Sequence, residues 1–439
     1  MLKLFLWLRY LRKRRVVLLS IAAVTLSCAL LIVVASLFNG FIDAFEQGAV
    51  DAMGDVVISP PMRFAKYPKL IELLEQTSAV EAATATLTAQ GLIHLGVGNV
   101  RAVEIWGIEP QKRGEVTGFK RSLLKGDDAA GGMGDVVAGY VGIAVLAKPD
   151  EKTDEYDFAA VKQMAGQEVV ITTGSAAKTD DGDGRRFKRK TIKFSIADIV
   201  FTGVYYLDSK IVYLPIERLA EAVCPGEDGL AADQIQIKLK SGVRSDLAIA
   251  EIRGVWKEFA EQRLGWDDPF IRGTTIETAR QMQSRFVAEV RKQMGILLLI
   301  FGVVSMSVVL LIFCIFFMIV ETRRKDIAIV KSCGAGSASV AGLFLGFGAF
   351  IGAIGAVLGA VLGYIVTKNI NTVEEWIRIV FGLKLWKASV YMFSRIPNQV
   401  DWNAALVIAA CAVCAAAAGA IVPAIAAAMT RPVNVLRYE

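Results

Sequence analysis

The chain has 439 residues, of which 54 % are hydrophobic and 21 % are charged, with a mean hydropathy of +0.48 and a formal net charge of +6. This composition is too apolar for an ordinary soluble protein, so the charged residues must be segregated from long apolar stretches. A hydrocarbon core about 30 Å thick needs about 20 apolar residues of helix, because a helix satisfies its own backbone groups. Four uncharged stretches meet this requirement: Val16–Phe38, Met294–Val320, Ser332–Thr367 and Trp402–Thr430.

The first apolar stretch follows a basic cluster, as does the core of a secretory signal peptide. Its 23 residues exceed a normal signal-peptide core, and no convincing small-residue cleavage site follows it. We therefore interpret it as an uncleaved anchor, with a signal peptide as the alternative. Residues 1–15 interleave leucine and aromatic residues with basic ones, which predicts a cytoplasmic interfacial helix on an anionic leaflet.

Basic residues next to the spans set the predicted topology. Residues 1–15 contain six Lys or Arg and no acid, and the segment 321–337 contains four more bases. The positive-inside rule then places both termini in the cytoplasm and the 41–285 and 368–401 regions on the other side. The sequence thus predicts a multi-pass protein of the cell inner (plasma) membrane. The net charge is a topology signal and gives no reason to expect a nucleic-acid partner.

The region between the first two spans has the pattern of a soluble α+β domain. We predict a membrane α-helical protein with four transmembrane helices and a large extracytoplasmic α+β domain that contains a mainly β insert. The predicted strands are Asp55–Ser59, Thr86–Leu95, Arg101–Ile108, Glu168–Thr173, Thr191–Ile196, Ile199–Val204, Lys210–Leu214 and Gln234–Leu239. The predicted helices are Pro68–Gln76, Glu217–Val223, Ser245–Glu261 and Thr275–Lys292.

No helix breaker separates the last of these helices from the second span, so a rigid rod is predicted to join the domain to the membrane. The predicted order is an interfacial helix at 1–15, a first span at 16–40, the extracytoplasmic domain at 41–285 with its β insert at about 165–215, the rod and second span at 286–320, a cytoplasmic helix at 321–337, a third span at 338–367, an extracytoplasmic loop at 368–401, a fourth span at 402–430 and a cytoplasmic tail at 431–439.

A glycine- and aspartate-rich segment at 174–190 joins two of the predicted strands. Its alternating Asp and Gly residues are similar to part of a calcium-binding loop, but the closing glutamate is missing and a basic run follows. We interpret the segment as a solvated hairpin tip, with a calcium loop as the alternative.

The ionisable residues argue against several classes of protein. His94 is the only histidine, which excludes a histidine-based metal site or catalytic triad. We predict no catalytic residue and no metal site in this chain. No ionisable side chain lies within a span, which disfavours a proton- or ion-coupled carrier. The chain contains no G-x-x-x-x-G-K-[ST] motif. We therefore expect no cofactor in this chain, and any ATP and Mg would be bound by a partner ATPase.

The third predicted span repeats glycine at intervals of about four residues. Small residues on one face of a membrane helix let neighbouring backbones approach closely. We therefore predict helix-packing contacts there, with an added role in helix sliding as the functional alternative. The predicted packing residues are Gly342, Gly346, Gly352, Gly355, Gly359 and Gly363.

Three separated segments resemble one family of membrane proteins. Residues 6–15 (LWLRYLRKRR), with residues 36–41 (SLFNGF) after the first span, resemble the start of the lipoprotein-releasing ABC transporter permeases. Residues 321–335 (ETRRKDIAIVKSCGA) resemble the cytoplasmic segment after the second span in the MacB and FtsX-like permease superfamily. Residues 431–439 (RPVNVLRYE) are similar to the usual C-terminus of that superfamily.

Other segments are similar to the lipoprotein-releasing, LolC/LolE-type branch of this superfamily. Val390–Tyr391, Ile396–Pro397 and Val400–Trp402 resemble its last extracytoplasmic loop. Val103–Pro110 and Asp208–Pro215 are similar to its periplasmic strands. The resemblance covers nearly the whole chain and implies that the extracytoplasmic region is a MacB-like periplasmic domain.

The resemblance implies a role for the segment 321–337. In the superfamily it is a coupling helix that receives motion from cytoplasmic ABC ATPase subunits, in a process called mechanotransmission. An apolar run among basic residues suits insertion into an ATPase, whereas the alternative of a solvated positive-inside cluster explains only the bases. The implied ATPase-coupling residues are Glu321, Arg323, Arg324, Asp326, Ile327 and Lys331.

The implied function is that of a non-ATPase permease subunit that extracts lipoproteins or other amphiphiles from the outer leaflet of the inner membrane. The implied partners are cytoplasmic ABC ATPase subunits, a second permease copy or paralogue, membrane lipids and a periplasmic lipoprotein chaperone. A chaperone would dock on the 174–190 hairpin, whose Asp, Gly, Lys and Arg residues are unlike the exposed apolar groups of such a hook. An FtsX-like signalling protein that controls cell-wall hydrolysis and a MacB-like efflux permease are the alternatives.

Three phenylalanines near the end of the first span, Phe38, Phe41 and Phe45, are predicted substrate contacts. A turn between Phe38 and Phe45 would expose their apolar rings at the membrane surface. Ordinary helix packing is the alternative role.

Overall fold

The computed structural model describes residues 15–96, 98–126, 137–150, 153–178, 185–224, 231–382 and 384–430. Residues 1–14 of the predicted interfacial helix, the hairpin tip at 179–184 and the predicted tail at 431–439 lie outside the described residues. The chain divides into two compact units. The helical unit contains described residues 15–43, 286–373 and 396–430, and the sheet unit contains described residues within 44–285 and 374–395.

Helices and strands alternate along the sheet unit, and long helices form the helical unit. The helices are α1 (Arg15–Met53), α2 (Tyr67–Glu75), α3 (Pro110–Val116), α4 (Ile143–Leu146), α5 (Phe158–Lys162), α6 (Tyr205–Lys210), α7 (Ile216–Val223), α8 (Ser245–Phe259), α9 (Asp268–Arg272), α10 (Ala279–Met282), α11 (Ser284–Thr322), α12 (Arg324–Ser332), α13 (Ser337–Lys368), α14 (Ile370–Phe381), α15 (Ala388–Tyr391) and α16 (Trp402–Met429). The strands are β1 (Val56–Ser59), β2 (Val80–His94), β3 (Val100–Ile108), β4 (Val137–Gly142), β5 (Glu168–Lys178), β6 (Arg185–Val200), β7 (Ile211–Pro215), β8 (Gln234–Leu239) and β9 (Thr275–Thr278).

Four helices of the described chain, α1, α11, α13 and α16, are long and apolar enough to cross a membrane. α13 contacts two of the others through its glycines. A Cβ added at Gly359 would lie 2.7 Å from the Cβ of Cys28 in α1, and one added at Gly352 would lie 2.7 Å from the Cβ of Ala416 in α16. The backbones are therefore in direct contact, as expected where no hydrophobic effect drives helices together.

The six predicted packing glycines do not share one environment. Gly355, Gly359 and Gly363 approach α1, Gly352 approaches α16, Gly346 is half-buried and Gly342 has open space around it. The second span, α11, joins the same bundle through a different contact, because Ser27 Oγ of α1 and Ser305 Oγ of α11 lie 2.8 Å apart and share a hydrogen bond.

Helix α1 continues through the segment Phe38–Phe45, so the turn predicted there is wrong. A glycine inside a helix costs only about 1 kcal/mol relative to alanine, which is too little to end a long helix. Gly40 instead allows a close approach, because a Cβ there would lie 3.2 Å from the Cβ of Pro397. Asn39 Nδ2 also donates a hydrogen bond to Asp401 Oδ2 at 2.6 Å. The Asn-Gly pair thus marks a contact within the helical unit.

The nine strands of the sheet unit are paired in the order β3-β7-β4-β6-β5-β2-β8-β1-β9, and β3 also pairs with β2. Six strands, β2, β3, β7, β4, β6 and β5, therefore form a closed ring of pairings. The long strand β2 makes this possible, because its first half pairs with β8 and its second half pairs with β3 and β5. Helices α2, α7 and α8 pack on the sheet through apolar faces that belong to one hydrophobic core.

The β-rich segment at about 165–215 supplies β5, β6 and β7 to this ring. It is therefore continuous with the remaining strands of the sheet. The two strands predicted at Thr191–Ile196 and Ile199–Val204 are one longer strand, β6, that ends at Val200. The β5 and β6 strands pair antiparallel from Glu168 to Lys178, which makes the hairpin that the sequence predicts.

The helix predicted at Thr275–Lys292 is wrong over its first residues. Thr275–Thr278 form β9, which pairs antiparallel with β1. The side chain of Thr278 then accepts a hydrogen bond from the backbone N–H of Gln281 and caps α10. The pairing with β1 decides the conformation here. It is a contact with a distant part of the chain, so the local periodicity of the segment cannot reveal it. From Ser284 onward α11 is unbroken through the second span, as the lack of a breaker predicts.

The contact between α13 and α1 predicts that two glycines of one helix will respond differently to substitution. Gly359→Ala puts a methyl group 2.7 Å from the Cβ of Cys28 and 2.9 Å from the carbonyl oxygen of Thr25. Such overpacking costs about 1–3 kcal/mol, so we expect a lower midpoint for thermal unfolding of the purified chain. Gly342→Ala is the control, because no atom lies within 4 Å of the added methyl group. Equal midpoints for the two variants would contradict the role of this contact.

Candidate functional site

The predicted ATPase-coupling residues lie at the end of α11 and along α12. Four of the charged coupling residues form two ion pairs at the surface: Arg324 pairs with Glu321 at 2.7 Å, and Arg323 pairs with Asp326 at 2.6 Å. Exposed pairs of this kind contribute about 0–1 kcal/mol each. Their charges can therefore be exchanged for those of a docking partner at little cost to the fold.

Helix α12 has an inward and an outward side. Ile327 is only 6 % exposed and packs, next to buried Ala328, in a hydrophobic cluster with side chains of all four long helices. The Ile327 side chain therefore holds α12 on the bundle, and the coupling role implied for it stays a prediction. The apolar residues of the outward side are Ile329 and Val330, each 52 % exposed.

Lys331 connects α12 to the fourth span. Its Nζ donates hydrogen bonds to the carbonyl oxygens of Ala428 at 2.7 Å and Thr430 at 2.9 Å, at the C-terminal end of α16. The last carbonyls of a helix have no partners within the helix and carry a partial negative charge. Lys331 is therefore a cross-link between α12 and α16, and only part of its side chain is left at the surface.

A second polar cluster, in the sheet unit, surrounds Arg113 of α3. Arg113 is 2 % exposed, and its guanidinium donates from Nη1 to Gln236 Oε1 and from Nη2 to the carbonyl oxygen of Ala52, both at 2.9 Å. Ala52 belongs to the last turn of α1, so the cation faces the negative end of a helix dipole. Burial lowers the pKa of the Arg113 guanidinium from its ordinary value.

Aromatic rings supply much of the remaining environment of this cation. The Cζ of Arg113 lies 5.0 Å from the ring centre of Trp106, 5.4 Å from that of Tyr213 and 6.0 Å from that of Phe119. Such cation–π contacts are worth about 0.5–2 kcal/mol each. Burial also raises the pKa of the Tyr213 hydroxyl to about 12.

Two sequence segments that carry the family resemblance meet at Arg113. Trp106 lies in Val103–Pro110 and Tyr213 lies in Asp208–Pro215, and the two residues are register partners in the parallel pair β3–β7. Arg113 itself has no signal in the sequence, because an arginine in a short helix normally lies in solvent.

Two more contacts hold the last turn of α1. The backbone N–H of Gly118 donates to the carbonyl oxygen of Asp51 at 2.8 Å, and Arg121 forms an ion pair with the Asp51 carboxylate at 2.9 Å. We call the set Asp51, Ala52, Arg113, Gly118 and Arg121 the helix-end clamp. All five residues belong to the sheet unit, where they hold the last turn of α1 in place.

Asp208 is a buried carboxylate in the same unit. Its oxygens accept hydrogen bonds from the backbone N–H and hydroxyl of Thr202, both at 2.8 Å, and from the N–H of Gly203 at 3.0 Å. Burial raises the pKa of Asp208 to about 6, and these hydrogen bonds oppose the rise. The carboxylate organises the loop between β6 and α6.

The three predicted substrate residues, Phe38, Phe41 and Phe45, are half-buried on α1. A cavity of about 290 Å³ lies elsewhere in the helical unit, between α1, α11 and α16. Its lining is apolar except for the hydrogen-bonded hydroxyls of Ser27 and Ser305. Within the described chain, the structure does not bring the three phenylalanines into this lining.

Comparison with known proteins gives matches to both units. The family model of the MacB-like periplasmic core domain matches residues 17–255, more than half of the chain, and that of the FtsX-like permease C-terminal domain matches residues 296–432. The chain is 25 % identical over 444 residues to the lipoprotein-releasing system transmembrane protein LolC of Neisseria meningitidis serogroup B, with 98 % of each chain covered.

Two further matches cover less of the chain. The LolC protein of Xylella fastidiosa (strain Temecula1) is 24 % identical over 301 residues, which cover 66 % of each chain. Among solved structures, the periplasmic region of MacB from Actinobacillus actinomycetemcomitans is 15 % identical with a TM-score of 0.33, and the match covers 54 % of this chain and 95 % of that one.

The burial of Arg113 predicts a large effect for its neutral replacement. Arg113→Met leaves the Ala52 carbonyl and the Gln236 amide buried without their donor, at about 1–3 kcal/mol each. We expect the free energy of unfolding of the full chain, measured by denaturant titration, to fall by about 2–4 kcal/mol. Arg121→Met is the control, because that side chain is 77 % exposed, and its effect should stay below about 1 kcal/mol. Similar losses for both variants would contradict this account.

The pKa of Asp208 predicts a dependence of stability on pH. This pKa is about 6 in the folded chain against an ordinary value of 3.8, so the folded state binds more protons between these values. The stabilisation from Asp208 is therefore fully present below pH ~4 and is lost as the pH rises through ~6. The free energy of unfolding of the wild type, relative to that of Asp208→Asn, should fall between pH 4 and 6.5. A constant difference across this range would show that Asp208 does not titrate as stated.

Proposed function

We propose, because this chain belongs to the MacB/FtsX-like superfamily of ABC transporter permeases, that it is the membrane subunit of a lipoprotein-releasing system. Its similarity to two LolC proteins, named for lipoprotein release, supports this cargo. In the proposal the protein lies in the inner membrane with both termini in the cytoplasm. The sheet unit is then periplasmic, and lipoproteins leave the outer leaflet.

The observation that carries the proposal is the two-sided structure of α12. Its outward side presents Ile329 and Val330 among charged residues, a surface on which a separate cytoplasmic ATPase can dock. Its inward side is fixed to the bundle by Ile327 and to α16 by Lys331. A displacement of α12 by a partner would therefore move the spans with it. ATP and Mg are bound by the ATPase in this proposal, and the permease chain contributes no catalytic residue.

The long helices provide the route for mechanotransmission. α1 extends beyond its span to Met53, where the helix-end clamp holds its last turn on the sheet unit. α11 begins directly after the capped helix α10, which follows the sheet strand β9. Two continuous helices thus connect spans to the sheet, so that axial or tilting motion of either one is passed to the strands.

The cargo and the remaining partners follow from the same proposal. The apolar cavity between α1, α11 and α16 is suited to an acyl chain, and Phe38 and Phe41 of α1 would contact lipid-modified cargo. A second permease copy or paralogue completes the membrane core. A periplasmic lipoprotein chaperone would dock at the β5–β6 hairpin, whose tip lies outside the described residues.

A charge on the outward side of α12 tests the docking surface. Ile329→Asp alters an exposed side chain and leaves the packed side of the helix intact. We expect at least tenfold less co-purification of the cognate ATPase and loss of ATP-dependent lipoprotein release from proteoliposomes. Ser339→Asp, an exposed position in the first turn of α13, is the control and should retain both.

The outcomes separate docking from cargo. Normal co-purification and release with Ile329→Asp would refute the docking surface. ATPase activity that is coupled to the wild-type permease without any lipoprotein release would refute the cargo and favour FtsX-like signalling or MacB-like efflux. Ile327→Asp is unsuitable for this purpose, because a charge at that buried position disrupts the helix packing itself.

A further inference from the structure

α14 is an amphipathic helix whose apolar side is turned outward. Successive residues of an α-helix are rotated by about 100° around its axis. On that spacing the charged residues Glu374, Glu375 and Arg378 all lie within an arc of about 100°. The opposite arc is apolar. In a water-soluble protein the apolar arc packs on the core, but no residue of α14 is buried. Along the apolar arc, Val380 is 52 % exposed and Val373 is 38 % exposed.

The charged arc of α14 is the side that contacts the segment after the helix, and both belong to the sheet unit. Glu374 Oε1 accepts a hydrogen bond from the backbone N–H of Trp386 at 3.3 Å. The Arg378 side chain is 23 % exposed and is paired with Glu375. Trp376, on the apolar arc, is 60 % exposed. The orientation is the reverse of that expected for a helix in water, so the apolar arc needs an apolar environment outside the chain.

We propose that the apolar arc of α14 lies in the interfacial layer of the lipid bilayer. The membrane-spanning helix α13 ends at Lys368 and α14 begins at Ile370, so α14 follows at once where the chain leaves that span. Tryptophan and bulky aliphatic residues are the types that bind between headgroups and acyl chains. Lipid is the occupant that this continuity supplies, whereas a second protein would have to displace it.

The segment after α14 fastens this helix to the sheet unit. The backbone N–H of Ala388 donates to Asp154 Oδ2 at 2.9 Å, and the N–H of Tyr205 donates to the carbonyl oxygen of Met392 at 2.7 Å. A lipid-bound α14 therefore attaches two loops of the sheet unit to the membrane surface. Under the proposed function this is the leaflet from which cargo leaves, but the lipid contact itself does not depend on the cargo.

Photocrosslinking from two positions of α14 tests the lipid contact. A benzophenone amino acid replaces Val380 on the apolar arc or, as the control, Arg378, which lies about 160° away on the charged arc. The full chain is placed in nanodiscs of phosphatidylethanolamine and phosphatidylglycerol with radiolabelled acyl chains, and lipid adducts are counted after illumination. We expect at least tenfold more adduct from position 380. Equal adducts, or a crosslink from position 380 to a second protein chain, would overturn the proposal.

A second measurement uses a conservative variant that keeps the fold. The fluorescence difference between the wild type and Trp376→Phe isolates the signal of Trp376 from the other six tryptophans. In vesicles of lipid brominated at the upper acyl carbons, this difference should fall by at least half relative to unbrominated lipid. An unchanged difference would overturn the proposal, whatever the result of the lipoprotein-release assay.

Discussion

Inside a bilayer, apolar side chains gain nothing by leaving their surroundings, so the helical unit depends on direct contact between helix backbones. α13 makes this contact on two sides, with Gly359 against Cys28 of α1 and Gly352 against Ala416 of α16. Contacts at this distance leave no side chain between the helices that could change rotamer and absorb a displacement. The spans that α13 contacts are therefore packed directly against it, as mechanotransmission in the proposed function requires.

At the helix ends, basic side chains take over the role that glycine has within the spans. Lys331 donates to the last carbonyls of α16, and Arg113 donates to Ala52 in the last turn of α1. In both cases the cation meets the negative end of a helix dipole and satisfies carbonyls that have no partner in the helix. One cation joins a span to the helix that would receive the ATPase, and the other holds the last turn of α1 within the sheet unit. The same kind of contact thus occurs at the helix that would bind the ATPase and at the end of α1 in the sheet unit, the two ends of the proposed mechanism.

Properties that depend on local sequence could be predicted, and those that depend on distant partners could not. The four spans follow from the length of their apolar stretches, which can be read from each stretch without knowledge of the rest of the fold. By contrast, Ile327 and Ile329 are both isoleucines of one short helix, and only its packing on the bundle distinguishes the buried one from the exposed one. The burial of Arg113 likewise requires β3, β7, β8 and the end of α1 to meet. The helix predicted at Thr275 fails for the same reason, because β1 pairs with that segment.

α14 shows a second property that hydrophobic periodicity cannot predict, namely which side of an amphipathic helix faces the protein. Its sequence contains a clear amphipathic pattern, yet the pattern alone does not say which arc faces the protein. The usual assumption places the apolar arc inside, because water is the usual surrounding. In this chain Glu374 contacts the segment that follows the helix and Val380 faces outward, so the assumption fails where the surrounding medium changes from water to lipid. A helix with inverted exposure next to a membrane span is therefore evidence about the solvent on that side of the protein.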